Sequence, residues 1–413
     1  MSRNQSTLRT LYRHLPAGPP RVAAILFLGL FAGQSGQLAL TPVLADAARA
    51  FGVSTAAAGQ IRTAAAVVAA VSALVAGALA GRVRLRTLLQ TGVFLLVVGS
   101  GISFAATSIF VLAAGQALIG AASSILVSSG VAAAAAWSDD RDRGRVVAWT
   151  LVGAPSAWVV AMPVIGVVAG VSWRFAFVFP VVAGAVATAA LRRAPAVSTP
   201  RSEGGLLQVL AERALRGWAI GELLAYAAWS GVLVYAGALF VESYGASLVS
   251  VGAALGLGAA AYIPGTFVAQ RLASPGRPPL AAAGLLLAAC VVVFGVLRPG
   301  VVPSAICFGV LCFIAGARTF LGSAVGLDLA ADRRAGAMSI RAAAAQVGWI
   351  LGAALGGIAL STGGYPALGL ALAALFVAAS VVHLPAIVRI RRQGCGSATP
   401  RARLRPAAAS RAR

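Results

Sequence analysis

Two ionisable side chains sit well inside long apolar stretches of this 413-residue chain, Glu222 and Arg318. A charge at the centre of a bilayer costs about 2.5–3.5 kcal/mol on insertion scales, so an intramembrane acid or base is kept for a reason. A carboxyl group in that setting can take up and release a proton, which makes Glu222 a proton-coupling candidate. A guanidinium can attract an anion or pair with the acid. Glu222 also lies only five residues inside its apolar stretch, about 7 Å at 1.5 Å per residue. Contact with headgroup water therefore stands beside the coupling role as a second reading.

Hydrogen-bonding and aromatic side chains are shared unevenly among the apolar stretches. Gln34, Gln37, Gln116, Trp158, Tyr226, Trp229, Tyr235, Tyr262, Gln346 and Trp349 join Arg318 as candidates to line a cavity for a small-molecule substrate. Amides both donate and accept, and aromatic walls broken by a few polar groups suit a moderately apolar organic ligand. Packing competes for each of them. Gln34 and Gln37 can also glue helix to helix, and Trp137 and Trp218, near stretch ends, read as interfacial anchors. Nothing points to catalysis: the two histidines (His14, His383) and four cysteines (Cys290, Cys307, Cys312, Cys395) show no metal-ligand spacing, and no nucleophile with a base or phosphate-cradling loop is present. No cofactor, no metal and no enzymatic activity are expected.

The elements that must hold these side chains are membrane helices. Hydrophobic residues make up 60% of the chain and charged ones 10%, with a mean hydropathy of +0.90, far outside the soluble range. Crossing about 30 Å of hydrocarbon takes about 20 mainly apolar residues. Twelve such stretches are present, at 22–44, 56–80, 87–107, 109–136, 146–170 and 173–191, then at 217–241, 248–270, 279–297, 303–329, 338–361 and 364–386. Lipid offers no partner to unpaired backbone groups, so each must be helical. The fold class is all-α, with twelve transmembrane helices.

All 33 basic residues are Arg, and 28 of them fall in alternate gaps between the stretches or in the terminal segments; Arg49, Arg62, Arg174, Arg298 and Arg318 are the exceptions. Cations resist translocation, so the Arg-rich gaps and both termini face the cytoplasm. The net charge of +23 is scattered through short loops, whereas a nucleic-acid surface gathers its charge on one face. Nucleic acid is excluded, and anionic lipid headgroups are the expected partners of the loops and tail. The domain plan is a cytoplasmic arm 1–21, a six-helix half 22–191, a cytoplasmic linker 192–216 containing Pro195 and Pro200, a second six-helix half 217–386, and a basic disordered tail 387–413. Repetition supports two halves. Gly77 to Arg82 aligns with Gly265 to Gln270 at an offset of 188, and Arg143, Trp158 and Gly166 align with Arg334, Trp349 and Gly357 at an offset of 191. Parallel repeats of this kind put a pseudo-two-fold axis along the membrane normal and a cavity between the halves.

Several motifs on this frame resemble those of the major facilitator superfamily, most closely its drug-efflux and arabinose-efflux-permease-like branch. Asp46-Ala-Ala-Arg-Ala-Phe51-Gly-Val-Ser54, followed by Ala58-Gly-Gln60, is similar to that branch's first extracellular loop. Gly77-x-x-x-Gly81-Arg82-x-x-x-Arg86 resembles the gating loop between spans two and three, with Gly81 in place of the usual acid and Arg84 in place of the second glycine. Gln116-x-x-x-Gly120 stands where the family commonly has Arg and Gly, and Met162-Pro163-Val-Ile-Gly166 resembles the antiporter motif, with Pro155 and Pro163 as helix-kink positions. Ser172-Trp173-Arg174-Phe175 matches the branch's short outer turn. The first span reads Gly33-Gln34-Ser-Gly-Gln37, without the acid many proton-coupled exporters carry there.

The resemblance implies two pseudo-symmetric six-helix halves, with the third helix of each triplet peripheral. It implies a monomeric secondary transporter of the inner (plasma) membrane that exports a small organic or drug-like molecule in exchange for protons. Uptake or facilitated diffusion of a small anion, sugar or amino compound, with Arg318 as anion anchor, is the alternative, and a non-transporting receptor a remoter one. The topology can be read directly at the hairpin between the ninth and tenth stretches. A cysteine placed at Gly300, in a background without native cysteines, reacts with a membrane-impermeant maleimide on intact cells; reaction only after permeabilisation contradicts the twelve-crossing plan.

Overall fold

A backbone in lipid must satisfy its own hydrogen bonds, and helices account for nearly every described residue. The structure, a computed structural model, describes residues 21–79, 82–139, 142–195, 212–272, 279–329 and 334–396. The first half contains α1 (Arg21–Ala50), α2 (Thr55–Leu79), α3 (Leu85–Phe104), α4 (Ile109–Ala136) and α5 (Arg143–Ala169). A short 3-10 turn, Trp173–Phe177, then leads into α6 (Val178–Leu191). The second half opens with α7 (Arg213–Tyr244) and α8, which is in two pieces, Leu248–Ala260 and Tyr262–Leu272. Next come α9 (Leu280–Val292), which ends in one wide turn at Val293–Leu297, and α10 (Val301–Leu329).

The last continuous rod, Arg334–Gly396, is broken by non-helical backbone at Gly363 and at Gly364, where φ is 64°. That left-handed value suits a residue without Cβ. The apolar portion Ile340–Pro385 counts 46 residues, about 70 Å of helix against about 30 Å of hydrocarbon, so it crosses twice. It divides into α11 (334–362) and α12 (365–396). Eleven apolar helical stretches among the described residues thus make twelve crossings.

Several helices outrun their apolar stretches. α1 continues past residue 44 through an Arg49–Asp46 ion pair and stops at Gly52, where φ is 65°. α12 continues through 387–396, so the disordered tail expected from 387 does not begin there. Residues 397–413, the arm 1–20 and the linker residues 196–211 lie outside the described residues.

The two halves meet through α1 with α7, α2 with α11, and α5 with α8. Glycines set how closely these pairs approach. A Cβ on Gly252 would lie 2.6 Å from the Met162 carbonyl oxygen and 2.7 Å from Gly166 Cα, and one on Gly256 would lie 2.5 Å from Pro163 Cδ. Gly237 faces the α1 backbone at Thr41, and Gly357 faces the Gln60 amide. The Thr55 hydroxyl bonds the Glu242 carboxylate, which also accepts from the Tyr365 hydroxyl at 2.7 Å. These contacts lie in the half of the bundle away from the face where α1 begins and α12 ends, so the seam is closed on that distal side. Going toward the terminus side, the last hydrogen bond between the halves among the described residues is Gln346 Nε2 to Ser124 Oγ, 3.5 Å. Of the charged loop clusters at 139–143 and 328–334, Asp140, Arg141, Asp332 and Arg333 lie outside the described residues.

Where backbone meets backbone, a side chain cannot be absorbed by a rotamer change, and overpacking typically costs about 1–3 kcal/mol. Gly252→Val is expected to loosen the distal seam. With native cysteines removed, a cysteine at Gln60 should then react faster with an impermeant thiol reagent from the distal side than in the parent; an equal rate shows that the seam tolerates the added methyls.

Candidate functional site

α7 carries Glu222 into the interior of the second half, where it is fully buried. The reading that placed it in headgroup water is therefore corrected. Arg318 of α10 donates from Nη2 to Glu222 Oε1 at 3.0 Å, and Arg341 of α11 donates from Nε to Oε2 at 2.8 Å. His383 of α12 brings Nε2 to 3.6 Å from Oε1. One carboxylate thus joins four helices. Arg341 also donates to the Thr319 carbonyl at 3.1 Å and lies 5.3 Å over the Tyr226 ring. Small residues make the space: a Cβ on Gly322 would lie 2.5 Å from Glu222 Oε1, and one on Gly221 would lie 2.6 Å from the His383 ring.

Two sequence expectations change here. Arg318 is not a free anchor for an anion, because its guanidinium already holds the acid. Arg341, counted among the loop cations, is 13% exposed and is the acid's second partner. Trp218 also moves inward: it is fully buried and donates from Nε1 to the Gly322 carbonyl at 2.9 Å, so it is no interfacial anchor.

A second polar site lies between the halves. A cavity of about 130 Å³ is lined by Gln34 and Gln37 of α1, Arg62 of α2, Ser123 and Ser124 of α4, and Gln346 and Trp349 of α11. Arg62 is 6% exposed, its guanidinium lies 5.9 Å from the Trp349 ring centroid, and its Nη1 has no hydrogen-bond partner. Like Arg341, it is an ionisable group inside an apolar stretch beyond the two the sequence singled out. The larger recess, about 1090 Å³ between Asp46, Trp173, Glu242 and Ser247, opens to solvent at the distal surface. It is the distal mouth of the closed seam and holds none of the buried charge.

Residues 26–332, well over half of the chain, match the Major Facilitator Superfamily. The chain belongs to that superfamily. Among solved structures it is similar to a bacterial homolog of the human lysosomal transporter Spinster in its inward-facing, occupied conformation, with a TM-score of 0.72, 13% identity, and coverage of 91% of this chain and 96% of that one. The same homolog in its unoccupied conformation gives 0.72 and 13%, over 92% and 99%. A D-xylose-proton symporter gives 0.70 and 15%, over 88% and 97%. At such identities the likeness speaks for the fold alone. No curated protein sequence matches the chain. This member of the superfamily is a multi-pass membrane transporter.

Several of the superfamily-like positions have structural duties. Gln116 is buried away from the cavity and donates to Ser103 Oγ at 3.2 Å, tying α4 to α3. Tyr235 is buried, donates to the Ala353 carbonyl at 2.9 Å and packs its ring where a Cβ on Gly59 would sit, so it belongs to the seam. Trp158 and Trp229 pack against the main apolar core and do not line the central cavity. Pro155 and Pro163 lie within an unbroken α5, and Pro163 and Gly166 form its contact with α8. In the loop motif Gly77 ends up in α2, Arg82 is exposed, and Gly81 lies outside the described residues. Arg86 donates to the carbonyls of Arg192 (3.0 Å) and Ala194 (3.4 Å), capping the chain after α6.

Removing one member of a buried ion pair typically costs about 3–5 kcal/mol, because the other charge is left uncompensated. Glu222→Ala, which strands two guanidiniums, is expected to lower the melting temperature of the purified protein sharply. Replacing Arg318 by Met in the same protein should recover part of the loss. Additive losses in this double-mutant cycle would mean that the two residues do not interact.

Proposed function

We propose that this transporter exports a small organic or drug-like molecule by alternating access, the two six-helix halves rocking about the central cavity, in exchange for protons. On this reading it works as a monomer in the inner (plasma) membrane with both termini cytoplasmic, the Arg-rich loops lying against anionic headgroups. The observation that carries the proposal is the placement of Glu222. A proton added to its carboxylate removes the negative partner of Arg318 and Arg341 together, and the second of these lies on α11, the helix that also bears Gln346 and Trp349. Five residues separate Arg341 from Gln346 and eight separate it from Trp349. Release of Arg341 frees α11 to shift, and the cavity wall shifts with it. A ligand then binds one protonation state better than the other, which is the requirement for coupled exchange.

Glu222→Gln keeps the shape and removes the titration. In proteoliposomes loaded with the solute, this variant is expected to lose export driven by an inward proton gradient while retaining solute-for-solute exchange at equal pH. Full gradient-driven export by the variant removes Glu222 from the coupling step. Uptake would use the same residues, and the direction of solute flux relative to the pH gradient separates the two: the solute moves against the protons in an exchanger and with them in a symporter.

A further inference from the structure

Arg62 has no job in the proton switch, and its surroundings do not account for it as packing. Its side chain is more than nine-tenths buried and lines the cavity between the halves. No acidic side chain among the described residues pairs with it, and Nη1 finds no acceptor at all. Among the described residues, the guanidinium's attractive partner is the Trp349 ring face, 5.9 Å away. A buried cation without an anion is costly unless something else supplies the anion. The second charge cluster does not supply it, because Glu222 is already shared between two other arginines. The buried charge around the cavity is therefore net positive, a field that favours an anion and opposes a cation.

The other groups on the wall fit the same ligand. Gln34, Gln37 and Gln346 offer amide N–H donors, Ser123 and Ser124 offer hydroxyls, and Trp349 offers an apolar face. At about 130 Å³ the space is close to the roughly 150 Å³ of an apolar cavity that admits benzene. A planar carboxylate can take two parallel hydrogen bonds from one guanidinium, which gives orientation as well as attraction.

We propose that the central cavity takes a small organic acid as its carboxylate, with the anionic end on Arg62 and the apolar body against Trp349. This rests on the transporter reading for its role in flux, but not for its binding. The acid completes a site that the ligand-free protein leaves one charge short, so ligand-free stability is given up for recognition.

The test uses the full-length purified protein and three ring compounds of one size: benzoate, benzamide and benzylammonium. Benzoate is expected to raise the melting temperature in proportion to the logarithm of its concentration, and the neutral and cationic compounds are not. Arg62→Gln is expected to weaken benzoate binding at least about tenfold, the usual scale of a lost hydrogen bond to a charged group. The same variant, without ligand, should melt no lower than the parent, since a solitary buried charge has been removed. Should Arg62→Gln fail to fold, Arg62→Lys gives the reading: it keeps the charge but loses the paired geometry, and should bind benzoate more weakly than the parent. Three results would overturn the proposal: equal stabilisation by benzamide or benzylammonium, unchanged benzoate binding in the arginine variants, or equal stabilisation by chloride or sulfate. Benzoate counterflow in proteoliposomes is a separate reading. Arg62-dependent binding without counterflow upholds the anion site and removes the transport role proposed for it.

Discussion

Hydrocarbon does not solvate a full charge, and along the spans described Glu222, Arg318 and Arg62 are buried while Arg341 is mostly so. Three of them solve the problem together. The carboxylate divides its two oxygens between two guanidiniums, and the glycines at 221 and 322 clear the room for it. Because each participant comes from a different helix, the solution to a solvation problem is also a bracket across the second half. α7, α10 and α11 are held by charge, with α12 placed against them through His383. The first half contains no counterpart among the described residues; its one buried cation points at the shared cavity. The two halves repeat a backbone plan while dividing the electrostatic labour unequally.

Between helices in lipid there is little hydrophobic drive, so association depends on close packing and on polar groups with few alternatives. The seam between the halves is built from both. Gly166 and Gly252 bring two backbones together, Pro163 fills the space at Gly256, and the Glu242 carboxylate gathers hydroxyls from Thr55 and Tyr365 across the same level. Such contacts are broad but individually weak, and they are confined to the distal part of the bundle. The cavity lies just beyond them, at the Gln346–Ser124 contact. Among the described residues, the hydrogen bonds between the halves thus gather from the cavity to the distal end of the bundle.

The large-scale plan was legible in the sequence because lipid thickness imposes one length on every span. Twelve apolar runs near twenty residues reappear in the structure as eleven apolar helical stretches that make twelve crossings. Span ends were less legible, since a helix leaving hydrocarbon has no reason to stop there. α1 runs on to Ala50 and α12 to Gly396. At the site, cost alone was enough to single out Glu222 and Arg318. Arg341 and Arg62 carried the same signal, lying inside the stretches 338–361 and 56–80; counting Arg341 with the loop cations hid it, and Arg62, set apart from those cations, was not followed up. The faces of aromatic residues were not legible at all. Hydropathy does not distinguish Tyr235, locked into the seam, from Trp349, open to the cavity; that depends on helix rotation, which is settled only by tertiary contacts.

One discontinuity in α8 has a mechanical consequence. Its outer piece, Leu248–Ala260, is mated to α5 of the opposite half through Gly252 and Gly256. Its inner piece, Tyr262–Leu272, nestles on α10 of its own half, where a Cβ on Gly265 would collide with the Phe313 backbone. Just past the junction, Pro264 in the second piece has no N–H to return to residue 260, so the joint at Ala261 lacks a rung of the ladder. The Leu248–Ala260 piece also packs on α10, where a Cβ on Gly258 would lie 2.5 Å from Phe308 Cδ1, so it is held by both halves, whereas the Tyr262–Leu272 piece rests on its own. A tilt of one half against the other, as proposed for transport, would load that elbow first, because α8 is held on both sides of its missing rung.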